Sequence, residues 1–386
     1  MRDICVVSGT RADYGLLKPV MRAIDNSPHL DLKVVVTGSH LSEEYGNTFQ
    51  EIERDGFRID RRVPILSGED SEIALGQAFG RAVEGITMAL VELDPDVVVL
   101  LGDRYEALAA GVAAMLCRRP IAHIHGGEAT TGLIDEAIRH SLTKMSHLHF
   151  VSAEAYRQRV LQLGEQPERV WCTGAVGLDG ISELDLLSKE QLEIELGVRF
   201  SELNFLVTFH PVTLRPGTAQ RDTHELIMAL DRFPDSTVIA TMPNAESESS
   251  DVGRLIEDWG KSYPERVHVF GSLGQLRYLS TLRLCDVVIG NSSSGLIEAP
   301  AVGTPTVNIG DRQRGRLRGS SVFDVPARSD LIVDAIADAL AIVRETKPAS
   351  FPSPYGVPGA SDVIVEVLER CDTANLLIKD FVDWGD

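Results

Sequence analysis

Cysteine is scarce and scattered in this chain of 386 residues. The five (Cys5, Cys117, Cys172, Cys285 and Cys371) are odd in number and form no CxxC pair. That suggests neither a disulfide framework nor a cysteine zinc site, and it fits a reducing compartment. Several lie at apolar positions, where a free thiol behaves as a small hydrophobe. Apolar runs of membrane-spanning length are absent, as are low-complexity tracts. The chain opens directly into Asp3-Ile4-Cys5-Val6-Val7, without a basic patch or cleavage site, so no secretory signal and a cytoplasmic location are expected. Positive charge is in deficit: 37 Lys and Arg face 57 Asp and Glu, for a net charge of −20. Such a balance argues against nucleic acid and anionic membrane as partners. Neither GxGxxG nor a Walker A motif occurs, which weakens a dinucleotide oxidoreductase or P-loop reading.

What is present is an alternation repeated twice. Short runs rich in Val and Ile at 4–8, 32–37, 97–101, 121–125, 148–151 and 170–173 are separated by helix-length amphipathic segments. A second series follows at 205–209, 237–241, 267–270, 287–289 and 306–309. Continuous apolar strands between helices read as parallel sheets covered on both faces. The fold class is therefore α/β, with two Rossmann-like doubly wound domains. Their join is placed near 174–188. The domains are drawn as 1–176 and 177–365, with 366–386 a last helical segment that crosses back to the first. The stretch 344–359 carries four prolines and reads as a loop.

Ligands of open α/β sheets bind at the carboxyl ends of strands, so polar loops there are the first candidates. Ser8-Gly9-Thr10-Arg11-Ala12-Asp13 offers backbone N–H groups and a cation, or merely a turn in which Arg11 pairs with Asp13. Asp103, in Gly102-Asp103-Arg104-Tyr105-Glu106, is a helix cap or a general base. His123 and His125 share a strand face in His123-Ile124-His125-Gly126-Gly127-Glu128; this looks like metal spacing, but no third ligand is evident, and no metal site is expected. His210 follows the first strand of the second domain. Gly290-Asn291-Ser292-Ser293-Ser294-Gly295 ends a strand and starts a helix, where hydroxyls and free N–H groups suit a diphosphate, and Glu298 one turn on can accept ribose hydroxyls. Four arginines in seven residues follow at Arg312, Arg314, Arg316 and Arg318, with Arg312 expected to be functional and the others mixed.

These same loops resemble the UDP-N-acetylglucosamine 2-epimerase family, nearest to its hydrolysing branch that supplies N-acetylmannosamine for sialic-acid-type sugars. The match runs in order through Gly9–Gly15, Gly102–Glu106, His123–Glu128, Asp135-Glu136, Ile138–Ser141, Phe209–Pro211, Gly290–Glu298 and Asn308–Gln313. The resemblance implies two domains facing a cleft, of glycosyltransferase-B type. It implies anti-elimination of UDP to a glycal-like intermediate, then hydration. It makes Asp103 and Asp135 acid–base residues. Arg11 and Arg104 would bind the UDP-sugar, His210 the sugar or phosphate, Ser292 and Ser293 the phosphates, Glu298 the ribose and Arg312 the nucleotide. Many relatives carry a catalytic Glu where this chain has His125, so either His125 or Glu128 takes that role. No cofactor is implied, and the partners are a UDP-sugar substrate and further copies of the chain, as a homodimer or homotetramer.

The segment 244–257 keeps only Arg254, against the arginine-rich feedback site of animal relatives, so such feedback is not expected. Four alternatives stay open at this point. They are the same mechanism on UDP-2,4-diacetamido-2,4,6-trideoxyglucose, a non-hydrolysing epimerase, a glycosyltransferase of the same fold, and a non-catalytic nucleotide-sugar binder.

Overall fold

The computed structural model describes residues 1–67, 71–130, 134–212, 217–243, 249–345 and 350–383. The segment 244–248, part of the region compared with the feedback site of animal relatives, lies outside them. The chain divides into two compact units. The first comprises Met1–Glu128, Asp135–Gly180 and Tyr355–Asp386; the second comprises Ala129–Ile134 and Ile181–Pro354.

The first unit is built on seven strands: β1 (Arg2–Ser8), β2 (Leu30–Thr37), β3 (Arg61–Val63), β4 (Val97–Leu101), β5 (Ile121–Ile124), β6 (Leu148–Val151) and β7 (Val170–Cys172). Their order is β3-β2-β1-β4-β5-β6-β7, all parallel. Alternate residues of each strand feed opposite faces. Ile4, Val6, Val34, Val36, Val97 and Val99 pack under Leu17, Met21, Ile24 and Leu368. Cys5, Val7, Val35, Val98 and Leu100 pack under Ala82, Ile86, Ala109 and Ala113. Two apolar layers explain why the strands carry no polar alternation. Burial pushes the Cys5 thiol up to about 12, so it packs as a hydrophobe.

The second unit repeats the plan with β8 (Asn204–Thr208), β9 (Thr237–Thr241), β10 (Val267–Phe270), β11 (Val287–Gly290), β12 (Thr306–Ile309) and β13 (Val322–Val325). The order β10-β9-β8-β11-β12-β13 is again parallel throughout. Phe205, Val207, Val287 and Ile289 face one apolar cluster, and Leu206, Ile239 and Val288 face the other. In both units strand order reverses beside the first strand, between β1 and β4 and between β8 and β11. Rossmann-type sheets bind ligands outside such switch points.

The expected boundaries at 176 and 365 shift in the structure to Gly180 and Tyr355. The reason is local. The Asp179 carboxylate accepts the backbone N–H groups of Gly359, Ala360 and Ser361 at 2.6–3.2 Å, capping the helix Ala360–Arg370. That whole helix therefore belongs to the first unit. Residues 371–383 are irregular rather than helical.

Candidate functional site

In the first unit the β1 loop enters the helix Arg11–Asn26. Thr10 caps it, its hydroxyl accepting the Asp13 N–H at 3.2 Å. The Arg11 guanidinium pairs with Glu51 at 2.9 Å rather than with Asp13. Burial pushes the Asp13 carboxyl up to about 6, against the pull of Arg104 and with help from Glu106.

Asp103 does not cap the following helix. The capping position falls to Arg104, which makes no side-chain capping bond. Asp103 instead accepts a charged hydrogen bond from Arg139, which projects from the helix Asp135–Met145. Arg139 is fully buried. It also donates to Glu136 Oε2 at 2.7 Å and to the Glu128 carbonyl at 3.0 Å. Burial works against its charge, but Asp103, Glu128 and Glu136 outweigh that and hold the guanidinium above its usual range. Asp135 opens the same helix.

Arg104 Nε lies 3.3 Å from Glu106 Oε2. Glu106 is buried at the crossing of two loops: a Cβ at Gly9 would meet its side chain at 2.9 Å, and one at Gly38 would meet it at 3.0 Å. Both loops thus need glycine to admit this carboxylate.

His125 sits in the left-handed region with φ 65°. The Val176 N–H donates to its Nε2 at 3.3 Å, which leaves Nδ1 as the protonated nitrogen, 3.6 Å from Glu128 Oε1. Glu128 is buried and also accepts the Ser152 hydroxyl at 2.9 Å. His125 and Glu128 therefore stand side by side. His123 plays a structural part, since its Nε2 meets the Gly102 carbonyl at 2.7 Å and burial pushes it down to about 4. Among the described residues no group of three His, Cys, Asp or Glu gathers as metal ligands.

In the second unit His210 and Asn291 follow the two switch-point strands. His210 is buried; burial and then the Arg312 charge hold its imidazole well below the ordinary range, so it is neutral. Ser292, Ser293 and Ser294 are partly exposed at the start of the helix Ser294–Ala301. Ser293 occupies the cap position without a side-chain capping bond, and Ser292 Oγ accepts the Ser294 N–H at 3.4 Å. Gly295 lets this helix start close on β12, since a Cβ there would lie 2.6 Å from Thr306 Cγ2. Glu298 lies one turn further in and raises the neighbouring Tyr278, whose burial pushes it up to about 12.

Arg312 lies with its Nη1 3.5 Å from the Asn291 carbonyl. Of the arginines behind it, Arg318 is committed to Asp324 at 2.9 Å and to the Gln313 carbonyl at 2.8 Å, while Arg314 is exposed. The structure thus brings Asp103, Arg104, His125, Glu128 and Asp135 to the strand-end side of the first unit. It brings His210, Ser292, Ser293, Glu298 and Arg312 to that of the second. Arg139, Glu106, Asn291 and Gln313 join them without having been singled out as site residues. Their signal was weak: each lay inside a quoted motif, but its partner is distant in sequence.

The family model for UDP-N-acetylglucosamine 2-epimerase matches residues 22–369. The GDP/UDP-N,N'-diacetylbacillosamine 2-epimerase (hydrolyzing) of Campylobacter jejuni is 40% identical over 323 residues, covering 84% of each chain. The polysialic acid biosynthesis protein P7 of Escherichia coli is 38% identical over 337 residues, covering 87% of this chain and 85% of that one. The solved UDP-GlcNAc 2-epimerase of Neisseria meningitidis, bound to UDP-GlcNAc, superposes with a TM-score of 0.81 at 21% identity, covering 96% of this chain and 100% of that one. That likeness shows the fold, the two-Rossmann plan of glycosyltransferase-B type. The chain belongs to the UDP-N-acetylglucosamine 2-epimerase family.

Proposed function

We propose that the chain is a hydrolysing UDP-sugar 2-epimerase, converting UDP-N-acetylglucosamine and water into UDP and N-acetylmannosamine for sialic-acid-type sugars. The observation that carries this reading is the buried Arg139, which fixes Asp103 and Glu136 around one cation and holds the Glu128 carbonyl. Epimerisation at a weakly acidic carbon needs acid–base groups held in place on a rigid frame, and such groups contribute about 10²–10⁴-fold each.

The steps balance without an oxidant or reductant. A base of the first unit takes the C2 proton, the C1=C2 bond forms, and the C1–O bond breaks with its electron pair leaving on UDP. Water then adds: its oxygen bonds to C1, and a proton is delivered to C2 on the opposite face. Asp103 and Asp135 serve as acid–base residues, with the His125–Glu128 pair standing where the family glutamate acts. Arg11 and Arg104 bind the UDP-sugar. Ser292 and Ser293 hold the phosphates, Glu298 the ribose and Arg312 the developing charge, while the neutral His210 hydrogen-bonds on the leaving side. The enzyme works in the cytoplasm as a homodimer or homotetramer.

A second reading keeps every step and changes the sugar to UDP-2,4-diacetamido-2,4,6-trideoxyglucose. The 40% identity to the Campylobacter jejuni protein favours it. Product analysis with each sugar tests both. Free N-acetylmannosamine with UDP supports the first reading. Turnover only of the diacetamido sugar supports the second. A UDP-linked epimer without free sugar, or no turnover of either, overturns the hydrolysing assignment.

A further inference from the structure

Asn291 has no role in the reaction described so far, yet nearly every polar group it carries is committed. It is 1% exposed. Its backbone N–H donates to the Thr208 carbonyl at 3.1 Å. Its side-chain Oδ1 accepts the His210 N–H at 2.8 Å, and its Nδ2 donates to the His210 carbonyl at 2.8 Å. Its own carbonyl accepts Gln313 Nε2 at 2.8 Å. Gln313 is also 1% exposed.

The geometry explains why an amide stands here. β8 and β11 pair in register up to Thr208 and Gly290. At that last rung the backbones are so close that a Cβ on Gly290 would lie 2.0 Å from the Thr208 oxygen, and Gly290 itself has φ 141°. Both strands end at this rung. The Asn291 side chain then supplies one further rung, presenting a donor and an acceptor to the His210 backbone as a neighbouring peptide would. Asp lacks the donor and an apolar residue lacks both, while Gln carries its amide one methylene further out.

We propose that Asn291 is a positioning residue, which fixes the direction of the His210 imidazole and, through Gln313, couples it to the turn that carries Arg312. The proposal rests on the reading that His210 contacts the substrate. A misplacement of about 1 Å in such a group costs about a hundredfold in rate. The loss belongs in kcat, because this clasp of Asn291 on the His210 backbone acts through the direction of the imidazole.

The test is a double-mutant cycle on the full-length enzyme, following UDP release and thermal unfolding. N291A and N291D are each combined with H210A. The expected result is a kcat lower by at least about tenfold in both single Asn291 variants, with KM within about threefold, and no further loss when either is added to H210A. Q313A, which loosens the clasp without removing it, should show a smaller loss that H210A also abolishes. It carries the test if N291A does not fold. If the Asn291 and His210 losses multiply, Asn291 acts independently and the proposal is overturned. If H210A keeps full kcat, the role of His210 itself fails, and the positioning role falls with it.

Discussion

Arg139 is the residue on which geometry and stability meet. A guanidinium with no exposed surface needs close partners, and among those of Arg139 is Asp103, which the proposed mechanism uses. On the proposed mechanism Asp103 is an acid–base group as well as a charge, so Asp103→Asn should lower kcat by about 10²–10⁴-fold. UDP affinity, measured calorimetrically, should stay near that of the parent enzyme; retained turnover would remove Asp103 from the mechanism.

Buried histidines make a second prediction at this scale. His40, His123 and His147 are each pushed down to about 4, burial being the main cause. Between about pH 6.5 and pH 4 the unfolded chain binds protons on these rings that the folded chain refuses. Stability therefore rises with pH across that window and is lost as pH falls through it. Asp13 works the other way: its folded value, raised from 3.8 to about 6, stabilises below 3.8 and loses that contribution as pH rises through 6. Burial lowers His149, His210 and His268 in the same direction, so six rings against the raised Asp13 and Asp3 leave the slope positive, at up to about 1.4 kcal/mol per pH unit for each net proton. Urea midpoints at about pH 7 and about pH 5 should show the drop, and equal midpoints would contradict it.

Much of the site's position was readable at this scale, because Asp103, His125, His210 and Ser292 follow apolar runs whose ends had to be strand ends. Arg139 and Asn291 were not read as site residues. Periodicity places a residue on a helix face or a strand end, but says nothing of the distant carboxylate or backbone it will meet. The two bland uses considered for Arg11 and Asp103 also failed for that reason. Glu51 and Arg139, the partners they took, lie 40 and 36 residues away.

At the scale of elements, the helix Asp135–Met145 is held at both ends. Its first turn carries Asp135 and Glu136, and its last carbonyls, with that of Ser146, meet the chain's C-terminal segment. Lys379 Nζ donates to the Lys144 and Ser146 carbonyls at 2.7 Å each and to Glu165 at 2.8 Å. Glu165 is buried and further bound by Lys144 at 2.6 Å and His149 at 3.0 Å. Although burial opposes it, these partners hold the Glu165 carboxyl down at about 2. Lys379→Met should therefore destabilise the fold by about 1.5–3 kcal/mol, because Glu165 loses one charged partner and keeps Lys144 and His149. An unchanged urea midpoint would show that the tail is not a brace.

The Val- and Ile-rich strands were legible as elements to within two residues. β3 and β13 were not. The first reads Arg61-Arg62-Val63 and the second Val322–Val325 includes Asp324; both are short edge strands whose pairing comes from a neighbour rather than from an apolar run. A last helical segment was expected at 366–386, whereas the helix is Ala360–Arg370; its start depends on the carboxylate of Asp179, a contact no local pattern announces.

At the scale of the molecule, one plan is used twice. Each unit reverses strand order beside its first strand, and each places its polar loops there. The first unit carries Asp103, His125, Glu128 and Asp135, and the second the serine-rich helix start with Arg312. Thus a net charge of −20 need not prevent anion binding, since the cations and N–H groups are gathered locally. Among the described residues no helix is long and apolar enough to cross a membrane.

The central claim is that the chain inverts C2 by removing and replacing its proton while expelling UDP. It is tested most directly by following the enzyme with UDP-N-acetylglucosamine in deuterated water by NMR. The account predicts free UDP together with N-acetylmannosamine carrying deuterium at C2. Release of UDP with a protiated C2, or with N-acetylglucosamine of unchanged configuration, would contradict it.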